Sequence, residues 1–275
     1  MYSGTTFRTK SGRALGAHQR IDRIARRHLS KALPRRAYFP GIKDILVFEG
    51  RDGPDGIKRK SPARDEPWHY IDPTDPDDTT LLDYIDHHMY NLERALRGRD
   101  RVRASFEAAW LAHAIVDGLT PAHHYPLEEK LEQLRGEGLE TRTTLKKKLL
   151  MPGLTKRHQL RNNWEFWGAK GVMTTHVMFE LGFATTLASL KLGDALPTHD
   201  ELIRASRSGI RPIFLTAVYA IHSLKMYETF HKKGWNRSLA TLTRKELAPT
   251  IVRTVTLAWY IAAMRAEKRR KGERA

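Results

Sequence analysis

Two hundred and seventy-five residues suffice for one large domain or two modest ones, and a 40% share of hydrophobic residues provides for a sizeable core. Forty-eight Lys and Arg against 31 Asp and Glu give a net charge of +17, and a mean hydropathy of -0.54 excludes a predominantly membrane-spanning chain and argues against wholesale disorder. Cysteine is absent, which removes disulfides, thiolate metal sites and thiol nucleophiles together, so any metal centre must draw on the 13 His with Asp and Glu.

The first predicted element is a helix from Ala17 to Leu33. Ile21, Ile24, Ala25 and Leu29 fall on one face, arginines cover the other, and Pro34 stops the run. His18 sits one turn before Ile21 on the inner face. Upstream, Arg8, Lys10 and Arg13, followed by Arg20 and Arg23, interrupt any apolar run of the kind a secretory signal needs. With neither a signal peptide nor a membrane span visible, the sequence reads as cytoplasmic. Residues 1–36 hold ten Lys and Arg and one acid, Asp22, a basic surface suited to phosphate-bearing partners or simply to solvation.

Residues 34–80 carry most of the prolines around one short apolar run, Ile45 to Phe48, and read as a long ordered loop region. Helices are expected at about 79–97, with Asp77 or Asp78 near the start, and at about 101–117, closed by Gly118. A charged stretch, 127–161, contains Lys146, Lys147 and Lys148 and a break at Met151-Pro152-Gly153. Further helices are expected at about 169–191, 208–232 and 243–270, the last running into Lys268, Arg269, Arg270 and Lys271. No alternating pattern of useful length points to a strand, so the expected fold is all-α, a single multi-helix domain with long ordered loops.

The chemistry enters at His113 and Asp117. Four residues apart on a helix, they project from one face in adjacent turns and can reach one ion. The Gly118 and Thr120-Pro121 turn then returns His123 towards the same cavity. His176 and Glu180 repeat the four-residue spacing among Met178, Phe179, Leu181 and Phe183, where an unpaired carboxylate would cost several kcal/mol and a metal would supply the countercharge. Other candidates carry less. His87 and His88, beside Asp83 and Asp86, point about 100° apart and read as solvated or packing residues. His124 yields to His123 on register. His222 and His231 receive no role, and Trp164 and Trp167 read as packing aromatics.

Together these residues resemble the all-helical, zinc-dependent phospholipase C enzymes and the single-strand nucleases that share their fold. The matches run in order along most of the chain: His18, the Pro54-Asp55 loop, His69-Tyr70-Ile71-Asp72-Pro73, then His113, Asp117 and Pro121-Ala122-His123, and finally His176 with Glu180. The resemblance implies a zinc site of two or three ions. Asp55, His69, His113 and Asp117 would hold one ion, and His123, His176 and Glu180 another. A third would lie between Asp117 and His18, with Asp22 or a processed terminus in the place of the family's N-terminal tryptophan, since the first tryptophan here is Trp68. Such clustered dications share phosphate oxygens and activate water for in-line attack, with Asp55 as the catalytic base candidate.

The implied activity is cleavage of a glycerophospholipid at a membrane surface. Cleavage of single-stranded nucleic acid is the alternative, and a non-catalytic, zinc-stabilised helical binding protein the third. No obligate protein partner is implied. Residues 124–175 read as an insertion over the site, and residues from about 265 as a basic C-terminal tail. Gly56 stands where a choline-binding member has an aromatic, so no headgroup preference carries over. Family membership would suggest export.

Overall fold

The computed structural model describes residues 16–50, 52–57, 60–62, 66–125 and 127–272, and every regular element within them is helical. Arg8, Lys10 and Arg13 lie outside the described residues. Helix α1 (Ala17–Ala32) buries Ile21, Ile24, Ala25 and Leu29 and ends where Leu33 turns extended ahead of Pro34, as the residue before a proline must. The proline-rich stretch allows only short turns: α2 (Ile42–Ile45), a 3-10 turn (Leu46–Phe48) and α3 (Pro54–Ile57).

Next come α4 (Thr80–Arg97) and α5 (Arg101–Gly118), packed along one another. Asp100 caps α5 by accepting the Arg103 amide at 2.9 Å. Buried alanines on several faces of α5, among them Ala104, Ala108, Ala109 and Ala112, let neighbours approach closely all round it. A 3-10 turn at Pro121–His124 leads into the charged stretch, which holds α6 (Leu127–Arg135), α7 (Leu145–Leu149) and α8 (Lys156–Trp167). These gather a small apolar cluster of Leu127, Leu131, Leu134, Met151 and Phe166. Trp164 and Trp167 are not core residues, contrary to expectation. Phe166 takes the inward position on α8, leaving Trp164 72% exposed and Trp167 43%.

The second half comprises α9 (Val172–Leu187), α10 (His199–Ser208), α11 (Ile210–Ser223), α12 (Met226–Lys233), α13 (Arg237–Leu242), a π turn (Thr243–Leu247) and α14 (Ala248–Gly272). The helix expected over 208–232 is two, because Lys225 adopts a left-handed φ of 49° that no continuous helix accommodates. Helix α10 was absent from the expected set. Thr198 and Glu201 form a capping box at its start.

Helix α14 is the central strut, packed against α1, α4, α5, α10 and α11. Trp259 lies fully buried on it, and its Nε1 donates to the Ala108 carbonyl of α5 at 3.0 Å. The helical run Arg237–Arg270 is long and apolar enough to cross a membrane by length and composition. However, 78% of its apolar window is buried inside the protein, so its hydrophobicity is already used in the core. The basic stretch from 265 is the end of α14 as far as Gly272, tied by Arg265 to Glu93 (3.0 Å) and by Arg270 to Glu267 (2.8 Å).

Candidate metal centre

Asp117 is the hub. It stands one residue before the end of α5, where Thr120 turns extended and lets Pro121 open the 3-10 turn. The Thr120 amide donates to the Asp117 carbonyl (2.8 Å) and the His123 amide to the Thr120 carbonyl (2.8 Å), so the turn is locked and His123 faces back towards Asp117. Four histidines converge on this fully buried carboxylate. Nε2 of His18, from α1, is 3.1 Å from Oδ1; Nε2 of His113 is 3.2 Å and Nδ1 of His69 is 3.1 Å from Oδ2; Nε2 of His123 is 3.9 Å from Oδ1. The rings of His18 and His113 stack with centroids 4.0 Å apart.

Helix α9 contributes the second group. Nε2 of His123 and Nε2 of His176 each lie 3.0 Å from Glu180 Oε1. Two clusters thus offer ligand atoms within 4.8 Å of one another: His18, His113 and Asp117, and His123, His176 and Glu180. All six residues are buried, and either cluster could hold a metal ion. His69 touches the first through Asp117. Asp55, on α3, lies 3.8 Å from His113 Nε2 and at 16% side-chain exposure is the most open carboxylate here.

Proton positions follow from the outward-facing nitrogens. Nδ1 of His123 lies 3.2 Å from the His69 carbonyl, which can only accept, so Nδ1 carries the hydrogen and Nε2 turns its lone pair inward. Nδ1 of His113 likewise donates to Glu49 Oε1 at 3.0 Å and aims Nε2 at Asp117. A metal bound inside would therefore meet Nε2 of each ring, with Nδ1 held by an outer carboxylate or carbonyl. Neither nitrogen of His18 makes a hydrogen bond among the described residues; its approach to Asp117 lacks the alignment for one. Buried, convergent nitrogen and oxygen donors of this kind fit a dication such as zinc.

The electrostatics agree. Burial opposes ionisation of Asp117 and Glu180, and the neighbouring histidines (His123, His113 and His18 around Asp117, His176 and His123 around Glu180) act against it and favour the charged carboxylates. Burial also opposes a charge on His113, and there Asp117 and Glu49 prevail and raise it to about 10. His123 goes the other way: burial dominates and lowers it to about 4. Burial first, and Glu49 second, push Asp22 well above its ordinary value.

Glu49 is the participant the sequence reading passed over. It is fully buried directly after the Leu46–Phe48 turn, and the only signal for it was a carboxylate abutting an apolar run. Asp22, the expected stand-in at a third ion, falls outside both clusters and within electrostatic reach of Glu49 and His113. Asp72 shapes the following turn by accepting from the Thr74 amide (2.8 Å) and hydroxyl (2.7 Å). His124 turns away, with Nε2 donating to the Gly118 carbonyl at 2.9 Å. His88 is buried against Glu107, and exposed His87 pairs with Asn91. No family model, curated protein or solved structure matches this chain, so geometry and chemistry alone carry the functional reading.

Proposed function

We propose that the protein is a zinc-dependent phosphodiesterase of phospholipase C type that cleaves glycerophospholipids. The observation that carries this reading is the convergence of His18, His69, His113 and His123 on Asp117, with His123 shared towards His176 and Glu180. Zinc bound there would lower the pKa of water towards neutrality and neutralise charge on phosphate oxygens. Asp117 would bridge the two clusters, while Glu49 and the His69 carbonyl hold His113 and His123 in the ligating tautomer. Asp55, at the rim, is the candidate general base that orients and deprotonates the attacking water. Lipid is favoured over nucleic acid because Val177, Met178 and Leu181, on the helix that carries His176 and Glu180, are exposed apolar residues.

Elemental analysis of the purified protein tests the reading first, with about two or three zinc ions expected per chain. His113→Ala and Asp117→Ala should lose zinc and melt at lower temperature. Zinc-free wild-type protein whose melting zinc leaves unchanged would overturn the proposal. Hydrolysis of mixed phospholipids but not of single-stranded DNA or RNA is the expected specificity, and the reverse result would assign the site to a nuclease.

A further inference from the structure

We infer that residues 145–170 and the outer face of α9 form a docking surface for an anionic lipid bilayer. The inference deepens the phospholipase reading and rests on it for its purpose. Helix α8 is amphipathic in an unusual sense. Asn162 and Phe166 point inward, whereas Leu160, Trp164 and Trp167, spaced four and three apart, make an apolar stripe on the solvent side. Leu160 and Trp164 are each 72% exposed, and Leu154, in the preceding loop, is 95% exposed. Leu145, Leu149 and Leu150, on and just after α7, are exposed as well.

The surface continues onto the helix that bears the site. The Thr174 hydroxyl donates to the Trp167 carbonyl at 2.9 Å and ties the two segments together. Beyond it lies an apolar groove of about 550 Å³, lined by Thr174, Met178, Leu181, Phe230 and Trp235. Helix α9 therefore presents His176 and Glu180 inward and Val177, Met178 and Leu181 outward within the same two turns.

Charge identifies the occupant. Residues 145–170 expose six Lys and Arg, at 146, 147, 156, 157, 161 and 170, against one acid, Glu165, while Lys148 is buried and paired with Glu66. Exposed Leu and Trp flanked by cations are the composition of a segment that lies in the headgroup region, with apolar side chains in the acyl boundary and ammonium and guanidinium groups among lipid phosphates. A second copy of this chain would bring two such positive patches together. A nucleic acid would offer phosphate to the cations but no apolar phase to Leu154 and Leu160.

The test is sedimentation of the full chain with vesicles of phosphatidylcholine containing roughly one third phosphatidylglycerol, against pure phosphatidylcholine vesicles. Binding is expected to the anionic vesicles, in the presence or absence of a chelator. The pair Leu154→Ser and Trp164→Ser should weaken it about tenfold or more, as should Lys156→Glu with Arg157→Glu. Both pairs are exposed, so melting temperature and hydrolysis of a water-soluble phosphodiester should stay at wild-type level. Absence of vesicle binding, or variants that bind like wild type, would overturn the docking surface. So would dimerisation that the same substitutions abolish in the absence of vesicle binding. Wild-type protein that hydrolyses the soluble phosphodiester but binds no vesicles sinks the docking proposal alone, and wild-type protein that binds vesicles without any hydrolysis sinks the catalytic reading alone.

Discussion

Glu49 accepts the Nδ1 hydrogen of His113 at 3.0 Å, and both residues are almost wholly removed from solvent. The carboxylate sits outside the ligand clusters, yet it fixes which imidazole nitrogen faces Asp117. Glu49→Gln keeps the shape but weakens the acceptor and lets the amide flip. We expect a 10- to 100-fold loss of metal affinity at the first cluster with little change in fold, read by competition with a chromogenic chelator. Unchanged affinity would make Glu49 a packing residue only.

Metal binding should release a proton from His113. In the metal-free protein its imidazole is raised to about 10, because Asp117 and Glu49 together overcome the burial that opposes its charge. A metal must displace that proton, so apparent affinity should rise with pH, by up to about tenfold per unit below pH 10. Calorimetry in buffers of different ionisation enthalpy measures the release directly. Binding without proton uptake by buffer near neutrality would contradict it.

His124 provides a separate pH signature. Burial lowers it to about 4, and Nε2 donates to the Gly118 carbonyl. An unfolded chain takes up this proton near pH 6.5 and the folded protein near 4, so the unfolded state binds more protons between those values. Stability from this residue is therefore complete above pH 6.5 and declines as pH falls towards 4, by up to about 3 kcal/mol. His124→Asn preserves a donor to Gly118 and should flatten that limb of a urea-denaturation series. An unaltered limb would remove His124 from the acid response.

Gly118 leaves no room for a methyl group. A Cβ would stand 2.5 Å from Leu81 Cδ2 and 2.6 Å from Phe214 Cζ, both in the core. Gly118→Ala should cost about 1–3 kcal/mol by overpacking, seen as a lower urea midpoint. The adjacent Asp117 moves with the backbone, so metal affinity should fall in parallel. Wild-type stability would show that Leu81 and Phe214 yield freely.

Much of this could be read from spacing alone. Helices α1 and α4 follow from apolar residues every three or four positions, and the pairs His113/Asp117 and His176/Glu180 from the same helical geometry. The limits were physical. Lys225 departs from the helix through one residue's φ, which periodicity does not register. Glu49 lies 64 positions from His113 and meets it only after folding. Trp164 and Trp167 have core-like side chains, and only packing reveals that Phe166 takes the inward place.

The end of α5, one residue beyond Asp117, has an effect that involves no ionisable group. Peptide dipoles along an 18-residue helix add up to about half a negative charge at its C-terminal end, and that end adjoins the clustered imidazoles. This fixed polarity does not titrate. When acid protonates the carboxylates and histidines, the backbone of α5 continues to draw positive charge into the same cavity.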